Sequence, residues 1–354
     1  MIRSHVMKKV LITGGAGFFG LHMTRFLRAR GHAVVLLDIA PYATSEYPSD
    51  GIEFLAGDVR VPADMERALD GVSHVVHAAA ALPLWSREDI FSTNVEGTRV
   101  VLDRSVVAGV SRVAYVSSTA VYGVPKVHPL YEYYPRVGVG DYGESKILAE
   151  TVCDEYRRNG HPVGVIRPKT FIGPYRLGVF QILFDWIEGG HRIPLVGSGQ
   201  NRYQLLDVED LCDAFYRMIT TGDDDAACDV YNAGAFEYGR VIEDVGALCE
   251  HAGTGSRPLP LPAAPVIGAL TVLDAMGLSP LYKWVYGTAH TDSFVSTDKI
   301  REKLGWAPQY SNAAALIRSY DWYMENRGSI ATGTGVTHRV AWDQGILKLI
   351  KKFM

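Results

Sequence analysis

Tyr142 and Lys146 stand four residues apart, a spacing that can support proton-transfer chemistry. On a helix, residues i and i+4 share a face, so the Lys146 ammonium can lie beside the Tyr142 phenol and favour its ionised form. A free tyrosine has a pKa of about 10, and a general acid/base works best when its pKa is near the working pH. The pair therefore predicts proton exchange by Tyr142, although an ordinary surface helix would explain the spacing by itself.

A glycine-rich turn follows the first apolar run of the chain. Residues 10–13 read as a strand and residues 21–30 have helical periodicity, with Gly14, Gly17 and Gly20 between them. The first glycine permits a tight turn, the second lets the backbone approach a pyrophosphate, and the third lets the helix pack on the sheet. Free amides at the helix N-terminus would face the phosphates. The pattern predicts a dinucleotide site that includes Phe18 and Phe19, with a purely structural turn as the alternative.

Asp38 ends the second predicted strand, the position from which a carboxylate binds the adenosine ribose hydroxyls. A carboxylate there would repel the 2′-phosphate of NADP, and residues 39–50 contain no Lys or Arg to compensate. Asp38 therefore predicts NAD as the cofactor. An aspartate that only caps a turn is the alternative.

Three further strands are predicted at residues 52–56, 75–80 and 112–117, with helical segments between them. This order predicts an α/β fold with a doubly wound parallel (Rossmann) sheet and a smaller C-terminal substrate-binding domain. Asp58 and Val59 would flank the adenine. The cofactor would cross the strand end at small side chains, namely Ala78, Ala79 and Ala80.

The predicted domains interleave along the chain. The NAD-binding domain spans residues 7–170, and residues 207–233 and 309–326 return to it. The substrate-binding domain takes residues 171–206 and 234–308. Residues 327–354 are expected to form a linker and a C-terminal extension.

Composition restricts the classes of partner. The chain has 354 residues, 47% hydrophobic and 21% charged, and its net charge of -4 is spread along the sequence, so we expect a small-molecule substrate and no nucleic acid. The four cysteines form no Cys-x-x-Cys pair, which favours free thiols in the cytoplasm and no metal site. The most apolar stretch, residues 261–273, is shorter than the roughly 20 residues of a membrane span.

Motifs along most of the chain occur in an order that resembles the extended short-chain dehydrogenase/reductase superfamily, or NAD-dependent epimerase/dehydratase family, with 3β-hydroxysteroid dehydrogenase-like features. The motifs are TGGAGFFG (13–20), GDV (57–59), HAAA (77–80), NVEGT (94–98), VSSTAVYG (116–123), YGESK (142–146), RP (167–168), GP (173–174), DVED (207–210), YNAG (231–234) and KIREKLGWAP (299–308).

The resemblance implies a role for each residue of the site. Ser118 binds the reacting oxygen, with Thr119 as the fallback hydroxyl, Tyr142 transfers the proton, and Lys146 binds the nicotinamide ribose. The remaining cofactor contacts would come from Ser117, Asn94 and Pro168, with Asn94 supporting the site through backbone contacts and Pro168 passing near the carboxamide.

Departures from the family pattern restrict the reaction. Dehydrating and decarboxylating relatives carry an acid just after the catalytic hydroxyl, where this chain has Thr119 and Ala120. Nucleotide-sugar 4-epimerases bind the substrate pyrophosphate with an Asn and two Arg, and the matching positions here are Thr170, Tyr203 and Tyr286. A nucleotide sugar would therefore be held poorly, unless Arg202 restores one contact or Arg176 and Arg192 substitute from elsewhere in the chain.

The substrate half is also rich in aromatic residues, which suits a hydrophobic ligand. Phe180, Phe184 and Trp186 lie there, and residues 277–282 resemble the hydroxysteroid dehydrogenase branch. We therefore predict an NAD-dependent oxidoreductase that acts at a secondary alcohol or ketone. A sugar or nucleotide-sugar 4-epimerase with tightly bound NAD, and a non-catalytic NAD sensor, are the alternatives.

Two predictions concern association. The resemblance implies a homodimer formed through the helix that carries Tyr142 and the preceding helix, at about residues 90–108. The final residues, 346–354, place apolar side chains near one helical face opposite lysines. That segment could touch a membrane surface or a partner, or pack on its own chain.

Overall fold

The computed structural model describes residues 8–276, 283–330 and 339. Its strands are β1 Lys9–Thr13, β2 Ala33–Asp38, β3 Ile52–Ala56, β4 His74–His77, β5 Arg112–Val116, β6 Val163–Pro168, β7 Thr170–Ile172, β8 Arg192–Val196, β9 Leu205–Asp207, β10 Val230–Ala233 and β11 Arg257–Leu261. Its helices are α1 Phe18–Arg28, α2 Pro62–Ala68, α3 Arg87–Phe91, α4 Gly97–Val107, α5 Gly140–Arg158, α6 Val179–Glu188, α7 Val208–Thr220, α8 Asp224–Ala227, α9 Val241–Ala252, α10 Ala263–Ala275, α11 Lys283–Thr288, α12 Asp298–Leu304 and α13 Asn312–Asn326.

Seven parallel strands form the central sheet in the order β10-β6-β5-β4-β1-β2-β3. The strands are apolar runs because helices cover both faces of a parallel sheet. Val10 and Ile12 face one core together with α1 and α7, and Leu11 faces the other together with α2, α4 and α5. The predicted Rossmann fold is confirmed. Two strands end earlier than predicted, since β4 ends at His77, with Ala78 to Ala80 in the loop after it, and β5 ends at Val116, one residue before Ser117.

The second half of the chain builds two small parallel pairs, β7 with β9 and β8 with β11. Around them, α6, α9 and α13 share a separate apolar core that includes Phe184, Trp186 and Leu316. The sequence assigned residues 309–326 to the first domain, but the apolar face of α13 packs against this second core. The division into domains otherwise stays a prediction.

Several predictions fall on residues beyond the described ranges. Residues 277–282, most of the 327–354 linker and extension, and the apolar segment 346–354 are among them. Arg339 is described, and its guanidinium donates to the Ala16 carbonyl at 2.9 Å and pairs with Glu46. The extension thus meets the glycine-rich turn at this residue. Across the described residues, no helix combines the length and apolarity that a membrane crossing needs.

The predicted dimer surface is formed by α4 and α5, which pack side by side. In the single chain, Val106, Val107 and Leu148 expose 40%, 75% and 39% of their surface, so apolar side chains are available there. The homodimer stays a prediction.

Candidate active site

Helix α5 carries the Tyr142 and Lys146 pair. The Lys146 Nζ lies 5.8 Å from the centroid of the Tyr142 ring, so the predicted proximity of cation and phenol is present. The same Nζ donates to the Tyr115 hydroxyl at 3.1 Å and to the Val116 carbonyl at 3.0 Å. Burial lowers the Lys146 pKa to about 8, and the charge of Glu150 opposes this shift. The ammonium is therefore held at a fixed place and is easily deprotonated for a lysine.

Ser118 lies at the carboxyl end of β5, where it begins a short 3₁₀ turn, Thr119–Tyr122. Its Oγ accepts from the Ala120 amide at 3.1 Å. Helix α5 approaches this turn closely, since a Cβ on Gly143 would lie 3.1 Å from the Ala120 carbonyl oxygen. A glycine beside Tyr142 thus lets the first turn of α5 lie against the segment that carries Ser118 and Thr119.

Asn94 ties the start of α5 to the loop after β4. It sits in a π-helical turn, Ser92–Glu96, of a type often found at functional sites. Its amide pairs with both backbone groups of Ala81, at 2.8 and 3.1 Å, and donates to Ser145 Oγ at 3.0 Å. Ser145 in turn donates to the Tyr142 carbonyl at 2.8 Å. The side chain of Asn94 therefore positions the backbone of Tyr142.

Ser117 is buried, and its hydroxyl faces Glu150 of α5. Its hydroxyl donates to Glu150 at 2.5 Å, and Glu150 also accepts two hydrogen bonds from Arg167, at 2.8 and 2.6 Å. The charge of Arg167 and these hydrogen bonds hold the Glu150 pKa below its usual range, although burial alone would raise it. A cofactor contact from Ser117 would have to use its backbone.

The glycine-rich turn fits a dinucleotide. Gly14 has a φ of +70°, and a Cβ there would lie 2.8 Å from the Ala79 amide nitrogen, so the turn needs glycine. A Cβ on Gly20 would lie 2.4 Å from the Gly14 carbonyl oxygen. At Gly17 a Cβ would meet only that oxygen, at 3.1 Å, so the backbone here is uncovered by side chains and open to a pyrophosphate.

The residues that were predicted to contact the cofactor near this turn differ in burial. Phe18 and Phe19 are 3% and 6% exposed and pack in the core near Phe171, so only their backbone amides at the start of α1 suit the cofactor. Val59 is also a core residue. The Asp58 carboxylate is held by Arg60 at 2.6 Å. Sequence reasoning predicted contacts at these positions but did not separate side chain from backbone.

Asp38 closes the turn from the end of β2. Its two oxygens accept from the Ala16 and Ala40 amides, each at 2.9 Å. Burial raises its pKa, which the backbone hydrogen bonds oppose. None of the described ion pairs involves this carboxylate, and Arg339, whose guanidinium donates to the Ala16 carbonyl, pairs with Glu46 instead.

The predicted substrate residues of the second half differ in contacts and exposure. Thr170 and Tyr203 are in contact, with their hydroxyls 3.1 Å apart. Arg202 is exposed and Tyr286 is only 1% exposed. Phe184 and Trp186 are core residues, so their side chains are not available to the hydrophobic ligand that the aromatic residues of this half suggested.

Comparison with known proteins places the chain in a family. The sequence model of the NAD dependent epimerase/dehydratase family matches residues 10–234. The chain belongs to this family. The resemblance to extended short-chain dehydrogenases is thereby confirmed, and NAD is the cofactor.

Relatives within the family differ in activity. The chain is 37% identical to the uncharacterized protein y4nG of Sinorhizobium fredii over 98% of this chain and 86% of that protein. It is 26% identical to the 3 beta-hydroxysteroid dehydrogenase/Delta 5-->4-isomerase of Mycobacterium tuberculosis, over 89% of this chain and 90% of the relative. The crystal structure of DesIV, a dTDP-glucose 4,6-dehydratase of Streptomyces venezuelae with NAD and TYD bound, matches with a TM-score of 0.74 and 27% identity, over 91% of this chain and 98% of that chain.

Replacing Asp38 by Asn should shift the cofactor preference of this family member towards NADP. The charge that repels a 2′-phosphate is lost, while an amide oxygen can still accept from Ala16 or Ala40. We expect the ratio of NADPH to NADH affinity to rise roughly tenfold, equal to about 1.4 kcal/mol. Fluorescence titration with both reduced cofactors measures this ratio.

Asp50→Asn is the matched control, because Asp50 is an exposed carboxylate between β2 and β3 that pairs with Arg28. It should leave the ratio unchanged. If Asp38→Asn also leaves it unchanged, Asp38 does not face the ribose.

Proposed function

We propose that this protein is an NAD-dependent oxidoreductase that transfers hydride at a secondary alcohol or ketone carbon, with Tyr142 as the acid/base. The observation that supports it best is the packing of α5, which brings Tyr142 and the buried Lys146 to the turn that carries Ser118. A protein that only binds NAD needs no proton-transfer group, so this arrangement disfavours the sensor alternative.

Each side chain has a distinct task in the proposed reaction. The Ser118 hydroxyl holds the substrate oxygen, and the Tyr142 phenol takes the alcohol proton or returns it to the ketone oxygen. The Lys146 ammonium favours the phenolate through its charge, and it stays in place because Tyr115 and Val116 accept its hydrogen bonds. When bound, NAD supplies the hydride acceptor or donor, and the chain supplies orientation and electrostatics.

A sugar or nucleotide-sugar 4-epimerase is the second candidate, because it uses the same proton transfer and belongs to the same family. The hydrogen bond between Thr170 and Tyr203 weighs against a nucleotide sugar, since neutral hydroxyls lie together where such relatives carry an amide and a guanidinium. Neither side chain could neutralise a diphosphate.

Mass spectrometry of the ligands released from the purified, denatured protein separates the two candidates. For the dehydrogenase we expect NAD that is lost on dialysis and no nucleotide sugar, because the cofactor must exchange after each turnover. NAD that survives dialysis together with a nucleotide sugar would contradict this and establish the epimerase. Secondary alcohols and ketones are then screened as substrates by measuring the absorbance of NADH.

A further inference from the structure

Lys169 is a buried ammonium at the carboxyl edge of the sheet. It is 4% exposed and follows β6 directly. Its amide donates to the Ala233 carbonyl at 2.8 Å, and on the other side of β6 the Ser117 amide donates to the Ile166 carbonyl at 2.8 Å. Lys169 therefore sits one strand from Ser118, at the edge where open parallel sheets bind ligands.

The second half of the chain covers Lys169 with hydroxyl and aromatic groups. The Nζ donates to Ser293 Oγ at 2.6 Å and lies 4.9 Å from the centroid of the Tyr203 ring. The Thr170 hydroxyl is hydrogen-bonded to the Tyr203 hydroxyl, so it lies next to the same aromatic side chain. Ser293 is held beside Tyr203, because its backbone bonds Arg202 and Gln204.

None of the described ion pairs includes Lys169, and Asp292, the acid next to its partner Ser293, accepts a hydrogen bond from the Arg202 amide at 2.8 Å. Burial alone lowers the pKa of Lys169 to about 7, with no carboxylate to oppose the shift. Burial also raises the pKa of Tyr203. Burial lowers the pKa of His128, where the charge of Asp292 opposes the shift and the charge of Lys169 adds to it. Both neighbours are therefore neutral at pH 7. An ammonium has three donors and a buried one needs a counter-charge, so a bound anion would complete this site.

We infer that Lys169 is the anion-binding residue of the substrate site and that the substrate carries a carboxylate. The inference rests on the proposed function, since it describes the molecule that would reach Ser118 and Tyr142. One cation matches the single charge of a carboxylate. A nucleotide diphosphate carries more charge, and the nearby hydroxyls of Thr170, Tyr203 and Ser293 could not neutralise the rest.

Binding is tested on NAD-loaded protein with pairs of compounds that differ in the carboxylate. The pairs are D-galacturonate with D-galactose, and 3-hydroxybutyrate with its methyl ester, and UDP is measured in parallel. Thermal shifts at constant ionic strength give binding without any turnover. The variants are Lys169→Met, Lys169→Arg as a charge-retaining second variant, and Lys299→Met as a matched control, because Lys299 pairs with Asp229 at 2.6 Å elsewhere.

We expect at least one carboxylate to bind the wild type more tightly than its neutral partner. Lys169→Met should lose about 10- to 100-fold in affinity for that carboxylate, with the neutral partner unaffected and Lys299→Met unchanged. The preference should also fade as the pH rises through about 7, where the free ammonium loses its proton. If the carboxylate compound of a pair is also a substrate, Lys169→Met should raise its KM by a larger factor than it lowers kcat.

A carboxylate preference that persists in Lys169→Met, or equal binding of both partners to the wild type, would overturn the inference. Binding of UDP that depends on Lys169 would overturn the carboxylate assignment in favour of a nucleotide diphosphate. Carboxylate binding that depends on Lys169, with no hydride transfer to any compound of the pairs or of the wider screen, would support the anion site and count against the oxidoreductase.

Discussion

Replacing Tyr142 by Phe should lower the turnover of a secondary alcohol by about 10²- to 10⁴-fold, the usual contribution of a general acid/base. The ring remains, so packing of the first turn of α5 and the place of Lys146 near the ring are retained. Only the group that exchanges the proton is lost. Initial rates of NADH formation with a substrate from the alcohol screen measure the effect, and NADH titration measures cofactor affinity, which should stay unchanged.

Tyr133→Phe is the matched control for this experiment. The Tyr133 side chain is 77% exposed and stacks on Tyr131, so losing its hydroxyl should change neither rate nor affinity. Turnover by Tyr142→Phe at the wild-type rate would be incompatible with the proposed mechanism. Loss of NADH affinity together with the rate would instead show that the phenol serves cofactor binding.

Replacing Glu150 by Ala should lower the free energy of unfolding by about 3–5 kcal/mol. The side chains of Glu150 and Arg167 are 1% and 5% exposed, so removing the carboxylate leaves a buried guanidinium without its counter-charge. Ser117 would lose its acceptor as well. Chemical denaturation followed by circular dichroism measures the loss, and Glu150→Gln, which keeps an acceptor oxygen, should lose less.

Arg136→Ala is the control, because Arg136 binds the same carboxylate at 3.1 Å from a partly exposed position. Its loss should cost no more than about 1 kcal/mol. If Glu150→Ala lowers the free energy of unfolding by no more than Arg136→Ala does, water must solvate the Arg167 guanidinium in place of the lost carboxylate.

The effect of Glu150 should also depend on pH. Because the folded pKa of Glu150 is held below 4.5, the ordinary value for a glutamate, its stabilisation is present above that value and is lost as the pH falls through the folded pKa. The difference between wild type and Glu150→Ala should therefore shrink on acidification.

Several features of this protein follow from local spacing along the chain. The apolar run before Gly14 forms β1 as predicted, and the helix that follows begins at Phe18, three residues before its predicted start. The φ of +70° at Gly14 and the approach of Gly20 to the Gly14 carbonyl oxygen are local reasons for glycine, whereas the contact of Gly14 with Ala79 comes from tertiary packing. Tyr142 and Lys146 share a helix face because i and i+4 are neighbours on any α-helix. The regular order of strands and helices predicted the Rossmann sheet.

Side-chain direction at these positions was harder to predict. Phe18 and Phe19 turn into the core and Ser117 turns towards Glu150, because each lies on an element whose facing layer is set by distant segments. The apolar face of α13 packs on the second core for the same reason.

Only the tertiary structure revealed the partners of the buried charges. The Tyr115 hydroxyl accepts a hydrogen bond from Lys146, and Arg167 pairs with Glu150 because α5 packs against β6. Lys169 meets Ser293, 124 residues further along the chain. Alternation along β5 and the i+4 position of Glu150 after Lys146 are local signals that could have suggested the first two contacts. No local pattern pairs residues so far apart, because their distance depends on strand order and on the packing of whole layers.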